Sequence, residues 1–436
     1  MTRRDPSADK ALRIDHFEQP LAHADPVIAA SIEHERRRQQ NQIELIASEN
    51  FVSLAVLQAQ GSVMTNKTVE GYPAHRYYGG AEFADEIEAL AIARACALFG
   101  CRFANVQPHS GSNANQAAYL AVLEPGDTIL SMDTTAGGHI SHGHPATLTG
   151  RSYRVVTYGL ERDTERIDYD ELQRSALAHR PRLIIAGGSA YSRVIDFERI
   201  ASIARSIDAS FLVDMAHFAG LVATGLHPHP FPHADIVTTT TYKSLRGARG
   251  GMILWNDERL SKRINNGVFP GVQGSVMLHA VAAKAVCLQE AAQPAFRHYS
   301  EQVIRNAQAM AQSLARSAIR VVSGGTDTGL MLVDLRPAGV TGAAAVDWLE
   351  RAGLTCNKNL IPFDPQPAEV ASGLRLSANA ATARGFGEAE FTRIGQWIGE
   401  VVAAIQAPGA PATTTSVVDE VRAGVFTMCA DFPFYR

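Results

Sequence analysis

Short apolar runs alternate with helical stretches through the middle of the 436-residue chain. Each run is bounded by turn-forming residues and is too short for a helix, so each run predicts a buried strand. Strands that alternate with helices are typical of a largely parallel sheet with helices on both faces, which is an α/β fold. The predicted strands are residues 128–130, 153–156, 183–185, 211–213, 236–237 and 252–254.

The pattern changes towards both ends of the chain, and these changes predict three segments. Residues 1–45 form an N-terminal arm, and helical spacing of apolar positions runs through residues 26–46. A large α/β domain follows over residues 46–290. A long amphipathic helix then opens a smaller α/β domain over residues 291–436, in which residues 407–415, rich in Ala, Pro and Thr, predict a linker to a last helix.

Composition narrows the class of protein further. Basic and acidic residues are interspersed and the net charge is -4, so we expect no basic surface for nucleic acid or an anionic membrane. Five scattered cysteines without a CxxC pair argue against a disulfide framework or a zinc site. No apolar run approaches the roughly 18 residues of a membrane span, and no signal peptide is evident. We therefore expect a cytoplasmic protein without a bound metal that acts on a small molecule.

The strongest chemical signal lies in residues 237–251, where a β-branched run ends in Lys243 and then breaks into glycines. This pattern predicts a buried strand that delivers an amine to a loop. A partly desolvated lysine has a lowered pKa and can form a Schiff base, for which the expected aldehyde is pyridoxal phosphate. A solvated lysine at a strand end explains this stretch equally well, so other motifs must decide.

Polar side chains at other strand ends favour this cofactor. The Ser-Gly-Ser motif of residues 110–112, between a strand and a helix, can hold a phosphate with backbone N–H groups, hydroxyls and the helix dipole. Asp214 follows a buried strand and could keep a pyridine nitrogen protonated, with His217 nearby. His139 follows two glycines and could stack on the ring. Helix caps, turns and satisfied neighbours are the alternatives at these positions.

Three further segments carry candidate substrate residues. Residues 66–80 form an aperiodic loop rich in tyrosine and glycine, which indicates either a site or a subunit contact. Ser48 lies where an apolar stretch must end, either as a plain cap or as a ligand. Arg375 is flanked by apolar residues and is either a surface arginine or a bidentate clamp for the carboxylate of an amino acid.

Taken in order along the chain, these motifs resemble those of the serine hydroxymethyltransferase family. The resemblance extends from about residue 20 to the C-terminus. It implies the fold-type I architecture of pyridoxal phosphate enzymes, which is similar to that of aspartate aminotransferase. The matching stretches are residues 45–50 (Leu-Ile-Ala-Ser-Glu-Asn), 70–73 (Glu-Gly-Tyr-Pro), 76–80 (Arg-Tyr-Tyr-Gly-Gly), 110–112, 137–139 (Gly-Gly-His), 189–192 (Ser-Ala-Tyr-Ser), 214–217 (Asp-Met-Ala-His) and the lysine strand.

The resemblance implies a role for each matched residue around the cofactor. Lys243 would form the Schiff base with pyridoxal phosphate. Asp214 would pair with the pyridinium, and His139 would stack on the ring. The remaining contacts would be Ser110, Gly111 and Ser112 at the phosphate and Ser189 and His217 near the ring hydroxyl.

The resemblance implies substrate contacts and an assembly in the same way. Ser48 and Arg375 would bind the carboxylate of a small amino-acid substrate. Glu70 and Tyr78 would handle the hydroxymethyl group and would come from the neighbouring subunit. Gly274 would approach the neighbour's phosphate. The resemblance therefore implies an obligate homodimer whose active site is shared between subunits.

Several positions depart from the family pattern. Residues 134–136 are Thr-Thr-Ala where the family has Leu-Ala-His, and residues 367–369 are Pro-Ala-Glu where it has Ser-Pro-Phe. Both stretches are associated with folate in the family. The replacements remove an apolar wall, and Glu369 adds a negative charge that disfavours an anionic, polyglutamylated folate. Thr68 replaces a tyrosine at the phosphate, and Tyr242 replaces the histidine before the lysine.

These departures lead to three hypotheses about function. The first is folate-independent retro-aldol cleavage with pyridoxal phosphate, in an α-methylserine aldolase that releases formaldehyde and leaves alanine. The main alternative is a tetrahydrofolate-dependent hydroxymethyltransferase that acts on serine or α-methylserine. A weaker alternative is a non-catalytic relative that binds the cofactor. The joint presence of Lys243, Asp214, His139, Arg375 and Glu70 disfavours this last hypothesis.

Overall fold

The computed structural model describes residues 17–406 and 410–435. Helices cover much of this range, and side chains close many of their N-termini, as where Asp25 accepts a hydrogen bond from the N–H of Ile28. The helices are α1 (Leu21–Ala24), α2 (Pro26–Asn41), α3 (Leu54–Gln60), α4 (Glu82–Phe99), α5 (Gly111–Val122), α6 (Leu148–Ser152), α7 (Tyr169–His179), α8 (Phe197–Ser206), α9 (Ala219–Ala223), α10 (Glu258–Asn266), α11 (Leu278–Ala291), α12 (Pro294–Leu314), α13 (Gly342–Arg351), α14 (Asn379–Arg384), α15 (Glu388–Ile405) and α16 (Ala410–Asp431).

The strands are short and fall into two larger sheets and two small pairs. They are β1 (Ile43–Glu44), β2 (Gly71–Tyr72), β3 (His75–Arg76), β4 (Phe103–Asn105), β5 (Thr128–Met132), β6 (Arg154–Tyr158), β7 (Leu183–Ala186), β8 (Ser210–Asp214), β9 (Ile236–Thr240), β10 (Gly251–Trp255), β11 (Arg320–Val321), β12 (Leu330–Asp334), β13 (Leu354–Thr355), β14 (Asn357–Asn359) and β15 (Gly373–Ser377).

The central sheet, as far as the chain is described, has the strand order β4-β10-β9-β8-β7-β5-β6. Five neighbouring strands, in the order β9-β8-β7-β5-β6, pair in parallel. In contrast, β10 runs antiparallel to both β9 and β4. Every run predicted as a strand lies in or overlaps one of the strands β5 to β10. The predicted fold class, α/β with a mostly parallel sheet, is therefore confirmed.

Side chains of β8 alternate between the two faces of this sheet, as the pleat requires. Phe211 and Val213 pack into a core on one face, whereas Leu212 packs with Ile236 and Ile253 into a core on the other. Because helices cover both faces, the strand is apolar at successive positions rather than at every second one. Polar residues are therefore placed beyond the strand ends, where the functional candidates lie.

A second sheet, β11-β12-β15-β14, is antiparallel and packs with α12 and α15 around a separate core. Ile43 and Leu45 belong to this second core, and β1 pairs in parallel with β13. The end of the expected N-terminal arm therefore packs with the C-terminal residues. The division of the chain at residues 46 and 291 stays a prediction.

Two expected boundaries differ from the structure. Helical spacing predicts a helix over residues 26–46, but α2 ends at Asn41 because Ile43 and Glu44 pair with β13. The expected linker over 407–415 is also too long. Residues 407–409 lie outside the described residues, and α16 begins at Ala410, where alanine-rich sequence favours helix.

None of the helices in residues 17–406 and 410–435 combines the length and the apolar character that crossing a bilayer requires.

Candidate active site

A cavity lies where β8 and β9 end and α5 begins. All the residues expected to contact the cofactor line this cavity, with the exception of Gly274. The lining residues are Ser110, Gly111, Ser112, Asn115, His139, His142, Gly188, Ser189, Asp214, Ala216, His217, Thr240, Tyr242 and Lys243.

Lys243 is buried in this cavity, with 6% of its surface exposed. Its carbonyl oxygen accepts hydrogen bonds from Asn50 Nδ2 at 2.9 Å and from the N–H of Arg246 at 3.0 Å, which fix the turn after β9. Its Nζ lies 3.1 Å from Nε2 of His217. Burial lowers the pKa of Lys243 to about 8 and places the pKa of His217 well below its usual value. The amine is therefore easier to deprotonate than that of an exposed lysine.

Asp214 ends β8, and its carboxylate has three hydrogen-bond partners in the cavity. Its Oδ2 lies 2.9 Å from His142 Nε2 and accepts from Asn115 Nδ2 at 2.9 Å, while its Oδ1 accepts from the N–H of Ala216 at 3.1 Å. Burial opposes ionisation of the carboxyl group, but the hydrogen bond and electrostatic attraction of His142, with contributions from His139 and Asn115, outweigh it, so the pKa of Asp214 lies below its usual value. The cavity thus contains a fixed negative charge.

His139 is held by its neighbours in one ring orientation. Its Nδ1 accepts from the N–H of Ser141 at 3.1 Å and lies 2.6 Å from Ser141 Oγ. Burial lowers the pKa of His139 to about 4, so the imidazole is neutral near pH 7. Asn115 Nδ2 also donates to Ser141 Oγ at 3.0 Å, which links the His139 loop to the Asp214 cluster. A neutral ring in a fixed orientation is suited to stacking on an aromatic ligand.

The Ser-Gly-Ser motif forms the N-terminus of α5. Ser110 is the N-cap, and its Oγ accepts from the N–H of Asn113 at 3.1 Å. A Cβ atom on Gly111 would lie 2.7 Å from Thr240 Cγ2, so a side chain at this position would collide with the end of β9. The first turn of a helix leaves N–H groups without intrahelical partners and carries the positive end of the helix dipole. This corner of the cavity is therefore suited to a phosphate.

Arg375 extends from β15 towards the cavity loop at Ser189. Its Nη1 donates to the carbonyl oxygen of Ser189 at 2.9 Å, and its Nε donates to Asn357 Oδ1 at 3.2 Å. In the described part of the chain, burial lowers the pKa of Arg375 and no acidic side chain offsets this effect. A fixed and uncompensated guanidinium beside the cavity is suited to binding a carboxylate.

Several buried polar atoms along the cavity have no hydrogen-bond partner among the described residues. They are Ser189 Oγ, His217 Nδ1, Thr240 Oγ1 and His142 Nδ1. Buried polar atoms are normally paired, so unpaired atoms along one cavity indicate a polar ligand. Together with the acidic group of Asp214, the amine of Lys243 and the start of α5, they fit the hydroxyl, ring nitrogen, aldehyde and phosphate of pyridoxal phosphate.

Five of the predicted site residues do not line this cavity, namely Ser48, Glu70, Tyr78, Gly274 and Arg375, of which Arg375 contacts the cavity residue Ser189. Glu70 and Gly274 lie close together: a Cβ on Gly274 would lie 3.7 Å from Glu70 Oε1. Tyr78 is 48% exposed, and Ser48 is half-buried two residues before Asn50. Their predicted roles stay predictions, and those of Glu70, Tyr78 and Gly274 depend on a second subunit.

The sequence analysis did not predict roles for several residues that hold the functional side chains in place. Asn115 and His142 hold Asp214, Asn50 holds the backbone at Lys243, and Asn357 holds Arg375. Asn115 stands in the first turns of α5, where a polar residue on a buried helix face was the available signal.

Comparison with known proteins adds independent evidence. The family described as serine hydroxymethyltransferase matches residues 21–398. The chain belongs to the serine hydroxymethyltransferase family. It is 57% identical over 420 residues to a serine hydroxymethyltransferase of a Caulobacter species, which covers 96% of both chains. It is 54% identical to a serine hydroxymethyltransferase of Paramagnetospirillum magneticum, over 96% of this chain and 98% of that one.

Membership of the serine hydroxymethyltransferase family decides three of the expectations. The resemblance drawn from the motifs is confirmed, and the chain is an enzyme whose cofactor is pyridoxal phosphate. A protein of the same name from Hyphomonas neptunium is 57% identical over 96% of each chain. The names of these relatives favour the hydroxymethyltransferase alternative over the folate-independent aldolase.

Proposed function

We propose that this enzyme is a pyridoxal phosphate-dependent hydroxymethyltransferase that cleaves the Cα–Cβ bond of serine or α-methylserine and transfers the one-carbon unit to tetrahydrofolate. The observation that carries this proposal is the buried Lys243 amine in contact with His217, in the same cavity as the carboxylate of Asp214. The names of relatives that are 54–57% identical support the transferase activity.

The roles of the cavity residues follow from their surroundings. Bound pyridoxal phosphate supplies an electron sink for the electron pair left on Cα when the bond to Cβ breaks. Lys243 would provide the amine that binds the cofactor aldehyde. Asp214 would hold a proton on the ring nitrogen, because its low pKa keeps it ionised. His139 would lie against the ring, and Arg375 would fix the substrate carboxylate.

The proton of the substrate hydroxyl must be removed as the Cα–Cβ bond breaks. We assign this step to Glu70, with Tyr78 nearby, in a site shared between two subunits of a homodimer. Glu70 is partly exposed and its Oε1 accepts from Ser275 Oγ at 3.4 Å, and Tyr78 is 48% exposed, so a second chain could contact both side chains. An accessible carboxylate that reaches the partner's cavity fits the role of a general base.

A single assay tests the proposed transferase. Serine and α-methylserine are incubated with the holoenzyme, with and without saturating tetrahydrofolate, and both the amino-acid product and trapped formaldehyde are measured. We expect tetrahydrofolate to raise the cleavage rate strongly and to suppress free formaldehyde. A cleavage rate that tetrahydrofolate leaves unchanged would contradict a transferase.

The α-methylserine aldolase remains a second candidate, because one observation favours it. Thr135 and Ala136, which replace family residues associated with folate, line a neighbouring cavity of about 230 Å³ together with Pro362 and Phe363. Glu369 is exposed in the loop that follows. A weakened folate site at this position would leave formaldehyde as the product. In the assay above, an aldolase would convert α-methylserine to alanine and formaldehyde at the same rate with and without tetrahydrofolate.

A further inference from the structure

Lys284 on α11 is a buried lysine that the proposed chemistry does not use. It is 1% exposed, and its Nζ donates to the carbonyl oxygens of Val106 at 2.7 Å, Pro108 at 3.0 Å and Gly251 at 3.0 Å. An ammonium group has three N–H donors, so these three acceptors use all of them. Burial lowers the pKa of Lys284 from its usual value, but the negative charge of Glu88 and the three carbonyl acceptors favour the charged ammonium form.

The three carbonyl groups belong to two segments that lead to the cofactor cavity. Val106 and Pro108 follow β4 and run directly into residues 110–112, the proposed phosphate cradle. Gly251 opens β10, which pairs with the strand that delivers Lys243. The N–H of Gly251 also donates to the carbonyl oxygen of Pro108 at 2.9 Å. The ammonium group of Lys284 therefore joins the segment that leads to the phosphate cradle, residues 106–108, to the start of β10, which pairs with the strand before Lys243.

Gln273 holds the cradle segment from another direction. Its Oε1 accepts from the N–H of His109 at 3.1 Å, and its Nε2 donates to the carbonyl oxygen of Gln107 at 2.9 Å. The segment has left the regular ladder of β4, so the carbonyl groups of Val106 and Gln107 accept from side chains, whereas that of Pro108 also accepts from the N–H of Gly251. Loss of the Lys284 donors would leave the carbonyls of Val106 and Pro108 without those side-chain partners.

We propose that Lys284 is a positioning residue for the cofactor, and that its ammonium group sets the separation between the phosphate cradle at residues 110–112 and Lys243. Lys284 does not line the cavity, so it acts through the backbone of both segments. The inference rests on the proposed placement of the cofactor phosphate at this cradle. A purely structural role predicts a different result, because it would lower the stability of the fold without a specific effect on cofactor affinity.

The test uses Lys284→Met, which keeps a long side chain but removes the donors, and Lys284→Gln, which keeps two donors. The dissociation constant of pyridoxal phosphate is measured by titrating the apo-protein and following the visible absorption of the bound cofactor. The melting temperature of each apo-protein is measured in parallel. We expect Lys284→Met to raise the dissociation constant at least tenfold and Lys284→Gln to raise it less.

Arg384 provides a matched control in the C-terminal part of the fold. It is buried, lines no part of the cofactor cavity and also donates only to backbone carbonyl groups. Arg384→Met should therefore lower the melting temperature while leaving the dissociation constant of pyridoxal phosphate unchanged. The acceptors of Arg384 are the carbonyl oxygens of Gln39, Gln40, Gln42, Cys429 and Phe432.

Each outcome decides the proposal. Unchanged cofactor affinity in both Lys284 variants would overturn it, and so would an equal loss of affinity in Arg384→Met. If Lys284→Met does not fold, the dissociation constant of Lys284→Gln decides, and a wild-type value overturns the proposal. Ser112→Ala separates this inference from the site assignment: wild-type affinity in that variant would overturn the cradle itself, whereas weakened affinity alongside unaffected Lys284 variants would overturn only the role of Lys284.

Discussion

The Nζ atom of Lys243 lies 3.1 Å from the Nε2 atom of His217, and both side chains are buried. Burial lowers the pKa of both groups, that of Lys243 to about 8 and that of His217 well below its usual value. Near pH 7 the amine of Lys243 is therefore protonated, and it donates a hydrogen bond to Nε2 of the neutral imidazole of His217. The other ring nitrogen of His217, Nδ1, then bears its hydrogen and is available to a ligand oxygen.

This pair predicts how cofactor uptake depends on pH. Only the unprotonated amine attacks an aldehyde, and the fraction of Lys243 in that form rises as the pH increases through about 8. The second-order rate constant for binding of pyridoxal phosphate to the apo-protein should therefore rise with pH, with a midpoint near 8, and level off well above that value. Stopped-flow absorbance between about pH 6.5 and 9.5 measures this rate constant. A rate constant that still rises about tenfold per pH unit at pH 9.5, as for a lysine with the usual pKa near 10.4, would contradict the effect of burial.

The same pKa gives a prediction about stability. Because the pKa of Lys243 is about 8 in the folded chain and 10.5 in the unfolded chain, the unfolded chain binds more protons between these values. The free energy of unfolding contributed by this residue should rise with pH across that window and be constant below it. Urea unfolding of the apo-protein and of Lys243→Met at several pH values isolates the contribution. Parallel pH profiles for the two proteins would contradict it.

Replacement of Lys243 tests its proposed role directly. Lys243→Ala should lose the visible absorption of the bound cofactor and nearly all turnover, because no other lysine of residues 17–406 and 410–435 lines the cavity. Lys262→Ala is the matched control, since Lys262 is exposed on α10 and should retain both properties. Full turnover in Lys243→Ala with the visible absorption intact would rule out the assignment.

Asp214→Asn should separate cofactor binding from chemistry. The amide preserves the shape of the side chain but cannot keep the ring nitrogen protonated. We expect the cofactor to remain bound while kcat falls by about 10²- to 10³-fold, the size of effect expected when one preorganised electrostatic group is removed. Asp235→Asn is the control, because Asp235 precedes β9 and lies at the opposite end of the strands. Near-normal kcat in Asp214→Asn would exclude the proposed pairing.

The sequence contained the strand pattern and the residues that follow the strands, so the sheet, Asp214 and Lys243 were predictable. β8 is apolar at successive positions up to Asp214, and Lys243 is the first charged residue after β9. Asn115 and His142 were not predictable, because each acts only through a contact with Asp214 that long-range folding creates. Lys284 was missed for a related reason: its three acceptors are backbone carbonyl groups, which leave no trace in the sequence.

Arg375 is expected to govern binding of the amino acid. Its guanidinium is held at Nε by Asn357 and at Nη1 by Ser189, so its orientation is fixed before a carboxylate binds. Arg375→Lys cannot form a bidentate pair and should raise KM for the amino acid about 10- to 100-fold, the equivalent of one charged hydrogen bond. The affinity for pyridoxal phosphate should not change. A KM equal to that of the wild type would contradict a carboxylate site.

The last prediction concerns the substituent on Cα of the substrate. Cleavage of the Cα–Cβ bond does not require a hydrogen on Cα, so a quaternary centre is acceptable wherever the site has room for a methyl group. One methyl in an apolar pocket is worth about 1–3 kcal/mol, which corresponds to a preference of roughly 10- to 200-fold. We therefore expect kcat/KM for α-methylserine to exceed that for serine by this factor.

The structure indicates which departures could provide that room. Of the replaced residues, Tyr242 lines the cavity of Lys243, Ala136 lines the adjoining cavity, and Thr68 is exposed and lines neither. The space left by the smaller side chain of Thr68 could therefore enlarge only the cavity of a second subunit. Thr68→Tyr restores the bulk of the family residue and should reduce kcat/KM for α-methylserine more than for serine, if the missing ring is what accommodates the methyl group. Equal kcat/KM values for the two amino acids in the unmodified enzyme would exclude a preference for α-methylserine while leaving the roles of Lys243 and Asp214 untouched.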